Sequence, residues 1–137
     1  MKTLFSYYVI CLLLFSMSCR KNADAFLEPM SVPIYRLEFA QNGNYKTVQR
    51  SLTFGEGTLL KGYNGKILFS NEDLLNTSYI FETEGSLNRL DLVLRIKENG
   101  SSETTQFGLK IFKNGKQVID VSHTASGNAT KDHRISI

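Results

Sequence analysis

From Leu90 to Lys97 the side chains alternate: Leu90, Leu92, Leu94 and Ile96 fall on one side, and Asp91, Val93, Arg95 and Lys97 on the other. Period two with one apolar and one largely wet face predicts a half-buried β-strand. The same texture runs from Ile34 onward, in short segments rich in β-branched and aromatic residues. Four Asn-Gly pairs punctuate it: Asn42-Gly43, Asn64-Gly65, Asn99-Gly100 and Asn114-Gly115. A type I′ turn needs positive φ at both central residues, which Asn-Gly supplies at least cost, so each pair is a hairpin candidate.

Register tests these hairpins. A two-residue loop at Asn99-Gly100 sets Leu92 opposite Phe107 and Leu90 opposite Leu109, apolar against apolar. The same loop at Asn42-Gly43 sets Leu37 opposite Val48 and Ala40 opposite Tyr45, and at Asn64-Gly65 it sets Leu60 opposite Phe69. Asn114-Gly115 sets Ile111 opposite Val118 but then places Leu109 against Asp120. A bulge between Gln117 and Asp120 repairs the mismatch, as does a sheet covered on both faces, and both remain open at this point.

One non-β element is expected. Ser70-Asn71-Glu72-Asp73-Leu74-Leu75 opens with capping residues and early acids and stops at Asn76, which reads as a single helical turn between sheets. Tyr79 to Thr83 resumes a strand with Tyr79 and Phe81 on one face, His123 to Asp132 reads as a loop, and Arg134 to Ile137 closes as a last short strand. Seven to nine short strands, frequent turns and no long helix predict an all-β fold: a small antiparallel β-sandwich of Ig-like type, with a small β-barrel as the alternative. Leu37, Leu90, Leu92, Leu94, Ile96, Phe107, Leu109 and Ile111 are the expected core.

The N-terminus has a different pattern. Lys2 is followed by an apolar run from Leu4 to Phe15 broken only by Ser6, then by Ser16-Met17-Ser18 before Cys19. The run is short for a bilayer span and fits the central region of a secretory signal. It resembles the bacterial lipoprotein signal, in which the residue after the cut is a cysteine that receives diacylglycerol. Ser16 stands where an aliphatic residue is usual, a departure that the looser Bacteroides-like version tolerates. The resemblance implies a signal peptide over residues 1–18, a lipidated Cys19 and a membrane anchor. Arg20 to Pro33 has mixed charge, two prolines and no periodicity, and reads as a tether reaching at most about 45–50 Å. Residues 34–137 then form the β domain.

Composition narrows the function classes. Cutting after Ser18 leaves 119 of the 137 residues, one domain's worth, and losing Lys2 lowers the net charge from +3 to about +2. No long basic run stands in the chain, so nucleic acid is not an expected partner. Cys11 leaves with the signal and Cys19 becomes a thioether, so no disulfide, thiol nucleophile or cysteine-based metal site is expected.

Candidate chemistry is sparse. His123 and His133 stand ten residues apart in the polar tail, with Asp132 the nearest acid, and read as exposed histidines rather than ligands. Glu82 and Glu84 share a strand face, as in a crude cation site, but read as an exposed polar face. No Gly-x-Ser-x-Gly elbow is present, and Gly55-Glu56-Gly57 reads as a turn rather than a phosphate loop. No catalytic residue, cofactor or metal is therefore assigned. Tyr35, Tyr45, Tyr63 and Tyr79 are the candidate sugar-stacking surfaces in a chain with no tryptophan.

Ile111 to Val118 (Ile-Phe-Lys-Asn-Gly-Lys-Gln-Val), followed by a Ser/Gly-rich tail, resembles the end of the small Ig-like domain of MmpS-type transport accessory proteins. That resemblance covers about a fifth of the chain, implies an envelope accessory role and transfers no functional residue. In Bacteroides-like lipoproteins, acids just after the cysteine favour display on the cell exterior. Here Arg20-Lys21-Asn22-Ala23 occupy those positions, which implies an outer-membrane anchor with the domain facing the periplasm. The sequence thus favours a non-enzymatic, lipid-anchored sandwich that binds or scaffolds another envelope protein. Lys113, Asn114, Gly115 and Lys116 are the candidate contact. Binding of a glycan or small ligand is the alternative.

Overall fold

The computed structural model describes residues 33–98 and 104–137. Cys19, the tether up to Val32 and the Asn99-Gly100 turn lie outside the described residues. Eight strands follow one another: β1 (Tyr35–Gly43), β2 (Gln49–Phe54), β3 (Leu68–Ser70), β4 (Ser78–Glu82), β5 (Asp91–Lys97), β6 (Thr105–Lys113), β7 (Lys116–Ala125) and β8 (Thr130–Ser136). They form two antiparallel four-stranded sheets, ordered β4-β1-β6-β7 and β3-β2-β5-β8. This is the expected small β-sandwich, and neither sheet closes into a barrel.

Period two decides the burial. Tyr35, Leu37 and Phe39 of β1, Leu52 and Phe54 of β2, Leu92, Leu94 and Ile96 of β5, and Phe107, Leu109 and Ile111 of β6 all face inward and are buried. Every residue expected in the core is there. A side chain of this size contributes about 1.5–3 kcal/mol when fully removed from water. Phe54, Tyr63, Phe69 and Phe81 close one part of the core as a ring cluster with centroids 4.8–6.0 Å apart.

Strand pairing departs from the expected hairpins. β5 and β6 lie in different sheets, so Leu92 sits opposite Phe54 and Ile135 rather than Phe107. β1 and β2 also lie in different sheets, and Leu37 pairs with Phe81 and Ile111, not Val48. The connection after Gly43 runs through a short 3₁₀ turn, Tyr45–Thr47, to the second sheet. Asn64 and Gly65 do take positive φ, and Lys66 N donates to Tyr63 O at 2.9 Å, but this turn lies inside the β2–β3 connection. Phe69 pairs with Leu52, and Leu60 bridges to Thr83.

Among the described Asn-Gly pairs, Asn114-Gly115 is the one that forms a two-residue loop directly between paired strands. Its φ angles are 50° and 78°, and Lys113 pairs with Lys116 and Phe112 with Gln117. The register then shifts so that Ile111 meets Ile119 and Leu109 meets Val121. The bulge resolves the mismatch. Ser70 to Leu74 makes the expected single turn: Asp73 N and Leu74 N both donate to Ser70 O at 3.0 Å, and Ser70 N donates to the Asp73 carboxylate at 2.9 Å. The expected loop from His123 to Asp132 is shorter, because β7 runs through Ala125 and β8 begins at Thr130. Inward-facing Ile119, Val121, His123 and Ala125 continue the alternation that the polar composition hides.

Candidate functional site

β1 meets the β6–β7 hairpin where the chain enters the sandwich. Ile34 N donates to the Asn114 side-chain oxygen at 2.9 Å, and Asn114 N donates to Ile34 O at 2.9 Å. Lys113 is half-buried, its Nζ 5.6 Å from the centre of the Tyr35 ring, a cation–π contact. Lys116 is exposed. Of the four candidate contact residues, Asn114 and Gly115 therefore shape the turn, and the lysines supply its charge.

β7 leads away from this hairpin as the outer strand of its sheet and, at ten residues, exceeds the other edge strands β3, β4 and β8. Val118, at the bulge, is exposed. On the outer face beside β7 lies a groove of about 330 Å³, with Asn42, Gln106, Ser122 and Thr124 standing around Ala40 and Gly108.

Across the open side of the sandwich β7 faces β8. There His123 and His133 come together, ring centroids 5.1 Å apart and planes inclined at 64°. The Glu98 carboxylate, just past the end of β5 and only 8% exposed, stands 3.2 Å from His123 Nε2. The expectation of two exposed histidines is overturned, because both point along the apolar side of their strands. The signal was present in the sequence: His123 follows Ile119 and Val121 at period two, and His133 precedes Ile135 and Ile137. Asp132, the acid nearest in sequence, points elsewhere and holds Arg95 in a two-pronged pair at 2.7 and 2.8 Å. That pairing draws the Asp132 carboxyl below its ordinary pKa.

The four candidate tyrosines form no platform. Tyr35 and Tyr45 are buried, and Tyr63 and Tyr79 pack against the core. The hydroxyls of Tyr35, Tyr45 and Tyr79 donate to Ile137 O, Leu75 O and Asp73 O. Glu82 is ion-paired with Lys61 at 3.1 Å, and Glu84 is exposed. Among the described residues, no three of His, Cys, Asp and Glu are grouped so as to hold a metal ion.

A second polar cluster is structural. Arg50 of β2 is 3% exposed, and its partners among the described residues are carbonyl oxygens rather than carboxylates. Its Nε donates to Gln41 Oε1 at 2.5 Å, its Nη1 to Tyr45 O and Val48 O at 2.9 and 3.0 Å, and its Nη2 to Leu74 O. Gln41 in turn donates to Leu74 O and Asn76 O. One side chain from each sheet thus ties down two crossover loops, and burial draws the Arg50 pKa down.

No family model matches the chain, and no curated protein matches it. Two solved structures share its fold. One is the calcium-bound form of a protein from Parabacteroides distasonis, determined by NMR, with a TM-score of 0.65 and 19% identity over 77% of this chain and 92% of that one. The other is a DUF4425 family protein from Bacteroides ovatus, with a TM-score of 0.57 and 13% identity over 77% of this chain and 94% of that one.

Proposed function

We propose that the protein is a lipid-anchored, non-enzymatic β-sandwich of the cell envelope, and that its β7 edge takes up a strand from another envelope protein. The observation that carries this reading is the ten-residue outer edge of β7, which leads from the Lys113–Lys116 hairpin and has no strand on its far side among the described residues. An exposed edge presents main-chain donors and acceptors that accept a further strand, with side chains on either face supplying selectivity. Lipid on Cys19 anchors the chain in the outer membrane, facing the periplasm, and confinement there raises the domain's effective concentration for partners in the same membrane.

The glycan alternative loses its main support, because the tyrosines pack into or against the core and the hydroxyls of Tyr35, Tyr45 and Tyr79 bond main-chain carbonyls. The Parabacteroides structure is of a calcium-bound form, and this reading makes no use of calcium. The test is a photo-crosslinking side chain placed at Ser122 of β7, with Thr53 of β2 as the control position, in the native envelope. One stable protein adduct from Ser122, lost in Lys113→Glu/Lys116→Glu, is expected. Equal labelling from both positions, or no protein adduct from Ser122, overturns the reading, and a glycan adduct hands it to the alternative.

A further inference from the structure

The pairing scheme joins β7 to β6 and β8 to β5, and neither edge strand to the other. The open side between them is closed by side chains alone. Ile119, Val121 and His123 come from β7, and His133 and Ile135 from β8; all are half-buried. His123 and His133 meet edge to face at 5.1 Å. Glu98 faces His123 Nε2 at 3.2 Å, whereas the buried His133 Nε2 has no hydrogen-bond partner among the described residues. An unpartnered imidazole nitrogen out of contact with water is a poor place for a proton.

The charged neighbours do little to relieve this. Lys131 on β8 repels a protonated His133, as does a protonated His123 from β7, while Asp132 on β8 attracts it but is committed to Arg95 and Arg134. Glu98, at the end of β5, faces His123, and the inward side chains of β6 (Thr105, Phe107 and Leu109) are uncharged.

We propose that Glu98, His123 and His133 form an acid-sensitive latch across the open side of the sandwich. With the imidazoles neutral, the rings pack and hold β7 against β8. When His133 takes up a proton, a cation with no facing carboxylate among the described residues stands inside the seam with its ring 5.1 Å from that of His123, and the seam opens, exposing Ile119, Val121 and Ile135. Burial, first, then His123 and Lys131, lower the His133 pKa from its ordinary 6.5. A base whose pKa is depressed by folding binds protons preferentially in the open or unfolded state. The stability it confers is therefore complete above 6.5 and is lost as pH falls from there toward the lowered value.

Amide hydrogen exchange of the full-length protein, between about pH 7.5 and about pH 5 and expressed as protection factors, tests the latch. Protection over Ile119–Ala125 and Thr130–Ile135 is expected to fall several-fold relative to β1 and β2, and His133→Phe, which keeps an apolar ring, is expected to abolish that response. Unchanged protection in the wild type overturns the proposal, as does an unchanged response in His133→Phe. If that variant does not fold, NMR titration of the wild-type rings decides. Titration of His133 below 6.5 together with the loss of protection supports the latch, and titration at or above 6.5 overturns it.

Discussion

Ile34 and Asn114, eighty positions apart, exchange two hydrogen bonds: the Ile34 amide goes to the Asn114 side chain, and the Asn114 amide to the Ile34 carbonyl. The start of β1 is thereby clipped to the tip of the β6–β7 hairpin. Asn114 serves two ends at once, since its φ of 50° lies in the left-handed region that asparagine tolerates better than most residues.

That double role separates two substitutions. Asn114→Gly keeps the turn and loses the side-chain bond, so it is expected to cost about 0.5–1.5 kcal/mol. Asn114→Ala loses the bond and also strains the backbone, for a total of about 2–3 kcal/mol. Urea denaturation of the two variants checks the order. Equal losses would show that the turn itself is not strained.

Gly43 distinguishes a crossover from a hairpin. It has φ +77°, and a Cβ there would stand 2.3 Å from the Thr104 carbonyl oxygen. Gly57, with φ +80°, has nothing within 4 Å of the same position. Gly57→Ala is expected to cost about 1–2 kcal/mol, the left-handed penalty alone. Gly43→Ala must also displace main chain and is expected to cost more than about 3 kcal/mol. Thermal unfolding of both checks it, and a Gly43→Ala loss no larger than that of Gly57→Ala would refute the close approach.

The contrast explains what was legible in the sequence. Burial within strands follows from period two, so the Leu90–Ile96 stripe and the Phe107–Ile111 stripe point inward as read, and Leu92→Ala is expected to cost about 2–5 kcal/mol. Strand partners do not follow from an Asn-Gly pair. The pair states that the chain turns but not which sheet it turns into, and apolar-on-apolar register is satisfied equally well by partners across the sandwich. At Asn114-Gly115 the pattern left a bulge and a sheet covered on both faces as alternatives, and there the hairpin forms with the bulge. The turn at Lys113–Lys116 was legible because its Asn-Gly pair joins two strands that pair directly. For His123 and His133 the period-two signal marks an inward side, but polar outward neighbours disguise their two strands as a loop, and neither their meeting nor Glu98, from the end of a third strand, follows from the pattern.

The anchor has a direct test. Cys19 closes an apolar run with small residues before it, so metabolic labelling with a fatty-acid analogue is expected to mark the wild type and spare Cys19→Ser. The same substitution is expected to move the protein from the membrane fraction to the soluble fraction without changing its unfolding temperature. Equal labelling of both forms would remove the anchor from the proposed function.

Arg50 makes the sharpest demand on side-chain chemistry. Its guanidinium replaces water with four partners on Gln41, Tyr45, Val48 and Leu74, and it lies 5.2 Å from the centre of the Tyr45 ring. No carboxylate among the described residues is involved, so what holds it is donor geometry rather than ion pairing. A lysine carries the same charge on a single point with three donors and cannot span those acceptors in one plane. Arg50→Lys is therefore expected to destabilise nearly as much as Arg50→Ala, about 2–4 kcal/mol, because both leave buried carbonyls and the Gln41 oxygen unsatisfied. The damage should be local first, with amide protection lost over residues 44–48 and 74–77 before the sheets open. Equilibrium urea unfolding combined with hydrogen exchange checks both parts. If Arg50→Lys retained wild-type stability, charge rather than the fork would be the binding element, and the clamp between the two sheets would have to be assigned to Gln41 alone.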